Sequence, residues 1–81
     1  MKNKKPVFVD GGNEFDEKYL QQMVAELESG NTIAIYISCI GHSRTERVER
    51  AYKNKLIEKY GDKLYVMESG YYLSDLLYLK D

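Results

Sequence analysis

Residues Thr32 to Glu46 read T-I-A-I-Y-I-S-C-I-G-H-S-R-T-E, and this stretch decides the fold. Ile33, Ala34, Ile35, Tyr36 and Ile37 form an unbroken apolar run of mainly β-branched and aromatic side chains. A strand wetted on one face alternates apolar with polar residues. An unbroken run predicts a strand buried on both faces, as in a parallel sheet. Gly41 then punctuates the chain. Ser43-Arg44-Thr45-Glu46 has the form of a capping box, so a helix is expected to start at Ser43. The turn from Cys39 to His42 therefore falls at the carboxyl end of a central strand and faces a helix N-terminus. Open α/β sheets bind ligands at such places, and free N–H groups there favour an anion.

Working outward toward the N-terminus, Pro6-Val7-Phe8-Val9 reads as a short first strand, with proline at its start. Asp10-Gly11-Gly12-Asn13 is a turn. Asn13 can cap the next helix, and Glu14, Asp16 and Glu17 put negative charge in its first turn. Tyr19, Leu20, Met23, Val24 and Leu27 recur at helical spacing and make one apolar face. Gly30 suits the left-handed position past a helix end. Residues 1–5, with three lysines, read as a basic tail ahead of a single domain over 6–81.

Toward the C-terminus, a second helix is expected to about Tyr60, with Val48, Ala51, Tyr52, Leu56 and Tyr60 as its apolar stripe and Ile57 beside it. Gly61 ends it. Leu64-Tyr65-Val66-Met67 reads as a third strand, and Glu68-Ser69-Gly70 as a turn. Tyr71 to Leu79 is apolar nearly all round and reads as a short third helix that packs deeply or meets another chain. The expected fold is α/β, a β-α-β-α-β-α domain with a three-stranded, mainly parallel sheet in the order 1-2-3. Right-handed crossovers put both connecting helices on one face. The other face then needs a cover, from the third helix and a second subunit, which points to a homo-oligomer.

Composition narrows the function classes. The chain has 81 residues, which suits one domain. Its net charge of -1 argues against a generic nucleic-acid binder. One cysteine and one histidine give no disulfide and no zinc set, and a reducing cytoplasm is the simplest setting. No apolar stretch approaches the roughly 20 residues that span a bilayer. Neither G-x-x-x-x-G-K-S/T nor G-x-G-x-x-G occurs, and no cofactor is expected. The abundance of Lys, Asn, Tyr and Ile is of a kind associated with bacterial and phage proteins.

The motifs V-F-V-D-G-G, Q-Q-M-V-A-E-L-E, I-Y-I-S-C-I-G-H-S and V-M-E-S-G-Y-Y-L-S-D-L-L-Y-L together resemble the first half of the ClpP/SppA/crotonase-like fold. The resemblance aligns Gly41 and His42 with the glycine pair of that family's oxyanion hole, and Ser74 with its nucleophile. Ile40 stands in place of the family's proline, His42 in place of the second glycine, and Tyr72-Leu73 in place of two small residues. The family's catalytic histidine lies downstream of its serine, and no histidine follows Ser74 here. The resemblance therefore implies a truncated, inactive relative.

Read from the residues alone, the leading function is a small non-catalytic binding module. It would hold an anionic, phosphate- or nucleotide-like ligand or a partner group through Gly41, His42, Ser43 and Arg44, with Asp10 and Gly11 at the same sheet edge. Backbone N–H groups, a hydroxyl and a guanidinium converge there. The plain alternative is a capped helix beside an ordinary turn. If the protein is an enzyme, it is a hydrolase using Ser74, or Cys39 with His42 as base. A third reading is an interaction or inhibitor protein whose last helix presents Tyr71, Tyr72, Leu76, Leu77 and Leu79 to a partner, with core packing as its alternative. Arg44, Arg47 and Arg50 climb the second helix and can meet an acidic partner, but the interleaved Glu46 and Glu49 favour a solvated face.

Overall fold

In the computed structural model the described residues are 6–37, 42–67 and 75–80, with 42–44 described by backbone alone. They form β1 (Val7–Asp10), α1 (Glu17–Glu28), β2 (Ile33–Tyr36), α2 (His42–Tyr60), a 3-10 turn at Gly61–Lys63, β3 (Leu64–Met67) and β4 (Leu76–Leu79). The sheet order is β1-β2-β4-β3. β1 runs parallel to β2, while β4 is antiparallel to both of its neighbours. β1, β2 and β3 therefore point one way and β4 the other. The class is α/β as expected, but the sheet has four strands and is mixed.

The correction lies at the C-terminal end. Leu76, Leu77 and Leu79 were expected on a third helix; they stand instead on β4, between β2 and β3. An all-round apolar stretch has two meanings: a deeply packed helix, or a strand covered on both faces. Topology selects the second. The crossover from β2 through α2 delivers β3 one strand-width too far to pair with β2. The slot exposes carbonyls and N–H groups along both rims, and β4 satisfies them. Leucine's helix preference, worth only tenths of a kcal/mol per residue, cannot compete with a doubled ladder. Tyr71 and Tyr72 lie outside the described residues.

The two helices pack on one face. In register, Val7, Ile33, Leu77 and Val66 form one cross-strand row, so they share a face. That face supplies Val9, Ile33, Ile35, Leu64 and Leu77 to the core. α1 adds Leu20, Met23 and Leu27, and α2 adds Val48, Tyr52 and Leu56. The expected burial of the central run holds for Ile33, Ala34 and Ile35, which are 0%, 0% and 2% exposed. Tyr36 departs from it and is 54% exposed.

Helix ends follow local chemistry with one shift. α1 begins later than Asn13 would have it: Asp16 is the N-cap, its side chain accepting from Lys18 N–H at 3.0 Å. At the other end Gly30 has φ 89°. Its N–H donates to the Leu27 carbonyl at 3.0 Å and that of Asn31 to Glu26 at 3.1 Å, a Schellman closure.

A charged clamp secures the entry to β4. Lys53 Nζ lies 2.7 Å from Asp75 Oδ2, joining α2 to the residue before the strand. Glu49, one turn earlier on α2, is half-buried beside them. Burial pushes its carboxyl above the usual range; Lys53 opposes this, the Asp75 carboxylate adds to it, the Asp75 N–H opposes it, and Glu46 adds a little. The folded protein thus takes up this proton more readily than the unfolded chain. The stability it contributes is present in acid and lost as pH rises through the raised pKa. Glu49→Gln is therefore expected to raise the melting temperature at neutral pH, with the gain shrinking toward zero in acid. Thermal melts across pH check this; a lower melting temperature at neutral pH contradicts it.

Candidate functional site

The chain leaving the carboxyl end of β1 is tied to α2 through Tyr52, whose hydroxyl donates to the Gly11 carbonyl. β2 ends at Tyr36 and α2 starts at His42, one residue before the expected Ser43. The Gly11 N–H donates to the Tyr36 carbonyl at 2.6 Å, holding the chain leaving β1 against the end of β2.

The expected ligand residues fare differently. Cys39, Gly41 and Ser74 lie outside the described residues, and for His42, Ser43 and Arg44 only the helical backbone is described. Asp10 and Gly11 have structural work. Asp10 Oδ1 accepts the Gly12 N–H at 2.8 Å, a local turn closure. Gly11 is buried under Tyr52 and Ile37. A Cβ placed on it would come within 2.8 Å of both Ile37 Cδ1 and Tyr52 Cε2. Gly11→Ala is accordingly expected to cost about 1–3 kcal/mol by overpacking. Chemical denaturation measures it, and an unchanged midpoint would contradict the close approach.

Tyr52 organises this end of the molecule. Its side chain is 0% exposed, at the middle of the α2 core stripe. Its hydroxyl donates to the Gly11 carbonyl at 2.6 Å, with the Glu14 carbonyl a longer acceptor at 3.2 Å. It accepts the Asp16 N–H at 3.0 Å. Burial pushes the phenol pKa up, so the hydroxyl keeps the proton it donates. One side chain of α2 thus ties down both ends of the loop from residue 11 to 16.

That loop presents Phe15, 37% exposed, with its ring 4.9 Å from that of Tyr52 and tilted 30°. Beside it lies a surface groove of about 380 Å³ lined by Asn13, Glu14, Phe15, Arg47, Val48 and Ala51. A second hollow of about 360 Å³ continues along α2 past Asn54, Lys55 and Glu58 and shares Phe15 and Ala51. Phe15, Val48 and Ala51 give the lining its apolar part, and Glu14, Arg47, Lys55 and Glu58 carry charge of both signs. Sequence reasoning placed Arg47 on a solvated stripe and gave Phe15 no role. A lone aromatic in a polar loop has no period to reveal it. Tyr52 carried the available signal, since a tyrosine on a core stripe must find a partner for its hydroxyl.

Among the described residues no helix is long and apolar enough to cross a membrane, and no group of three His, Cys, Asp or Glu side chains could hold a metal ion. Comparison with models of known families, with curated proteins and with solved structures gave no match.

Proposed function

We propose that the protein is a small non-catalytic α/β binding module that holds an anionic small ligand at the carboxyl end of its parallel strand pair. One observation carries the reading: the groove between residues 13–15 and the first half of α2, lined by Phe15, Val48 and Ala51 together with Arg47. Arg47 on the groove supplies a guanidinium that can pair with an anionic group. Titration with phenyl phosphate, followed residue by residue in NMR, tests this. Shifts are expected at residues 13–16 and 47–51, and Arg47→Ala is expected to weaken binding by about tenfold, the loss of one charge-assisted contact. No shift at any of these residues would reject the reading.

A second reading, self-association, has its own observation. On the sheet face away from the helices, Phe8, Tyr36, Tyr65 and Met67 are 56%, 54%, 45% and 40% exposed, around a buried Ala34 and Leu76. β3 is also a sheet edge without proline or charge inside it, and edges of that kind recruit other strands. A second copy covering this surface predicts a concentration-dependent rise in sedimentation coefficient, reduced by Met67→Lys. A monomer at every concentration would reject it.

A further inference from the structure

The groove beside Phe15 carries more than a preference for anions. We infer that its ligand is an aromatic amino acid bound as the free zwitterion, with its carboxylate at Arg47, its ammonium at Glu14 and its ring on Phe15. This rests on the reading of the groove as the ligand site and names the ligand's class.

Size sets the first limit. A groove of about 380 Å³, continued past Ala51 by a hollow of about 360 Å³, falls within the ~300–1,000 Å³ typical of small-molecule sites. The wall sets the second. Phe15 is anchored on one side by the Tyr52 ring at 4.9 Å and still exposes over a third of its surface. Val48 and Ala51 extend that wall along α2. An aromatic ring laid against it makes the offset or tilted contact that such pairs prefer.

Charge decides the class. Arg47 and Glu14 line the same groove, and among the described residues no ion pair joins them. A ligand bearing only negative charge would meet Glu14 as well as Arg47, and like charges across a contact cost affinity. A ligand with one group of each sign meets both partners favourably. The Asn13 amide, on the same rim, can serve either group. The α-ammonium and α-carboxylate of an amino acid are the smallest common pair of this kind. The loop carrying Glu14 and Phe15 is held by the Tyr52 hydroxyl before any ligand arrives, which removes part of the ordering cost of binding.

The test is titration of the full chain with L-phenylalanine, hydrocinnamate, phenethylamine and glycine, read by NMR shifts and calorimetry. Hydrocinnamate lacks the ammonium, phenethylamine the carboxylate and glycine the ring. L-Phenylalanine is expected to bind at least about tenfold tighter than each of the others, one lost partner being worth that factor. Glu14→Gln should erase its advantage over hydrocinnamate without weakening hydrocinnamate itself. Hydrocinnamate binding as tightly as L-phenylalanine would overturn the zwitterion while leaving the anionic-ligand reading in place. No shift from any of the four, nor from phenyl phosphate, would overturn both.

Discussion

Replacing Leu77 by alanine is expected to lower the free energy of unfolding by about 2–5 kcal/mol, the range for truncating a buried leucine to alanine. Leu77 is 0% exposed and stands on β4, where it pairs with Ile33 on one side and Val66 on the other. Its side chain joins the cluster of Ile33, Ile35, Met23 and Leu56 under both helices. Truncation leaves a cavity at the centre of the sheet, and a domain of this size has only about 5–10 kcal/mol in total to lose. The result also separates two structures. On the exposed face of a C-terminal helix, Leu77→Ala would change association and leave unfolding nearly untouched. On β4 it lowers the denaturation midpoint at every protein concentration. Urea titrations at two concentrations distinguish these outcomes, and a midpoint within error of the parent would refute the strand assignment.

The fate of that segment shows what the sequence could and could not disclose. β3 was legible residue for residue, because Leu64-Tyr65-Val66-Met67 is short, β-prone and bounded by turn signals. β2 was legible from its apolar run, and both helices from their apolar stripes. β4 was not, because Leu76-Leu77-Tyr78-Leu79 has no period of its own. Its conformation is fixed by a gap between β2 and β3 that exists only once α2 has crossed over. The site divides in the same way. The start of α2 was legible to within one residue, at His42 rather than Ser43. The groove was not, since Phe15 and Arg47 are separated by 32 positions, the difference of their residue numbers, and meet only through the loop that Tyr52 fixes.

Tyr52→Phe is expected to cost about 2–3 kcal/mol although it removes a single oxygen. The ring stays, so packing against Phe15 and the core is retained and no cavity of consequence opens. What is lost is the shared partner of the Gly11 carbonyl and the Asp16 N–H, 2.6 and 3.0 Å from the hydroxyl. Each buried or part-buried group left without a partner costs about 1–3 kcal/mol, more than a hydrogen bond contributes on average, because water does not reach it as freely as in the unfolded chain. Tyr60→Phe provides the control. Its hydroxyl also donates at 2.7 Å, to Glu28, but that bond is exposed and water replaces it. Its loss should cost well under half as much. Exchange of the Asp16 amide should accelerate in Tyr52→Phe beyond the change in global stability, since the loop between residues 11 and 16 loses its anchor first. The loop carries Phe15 and Glu14, so affinity for the ligand proposed above should fall together with loop protection, even under conditions where the variant is fully folded. A variant with unchanged Asp16 exchange and unchanged stability would show that the hydroxyl does not hold the loop.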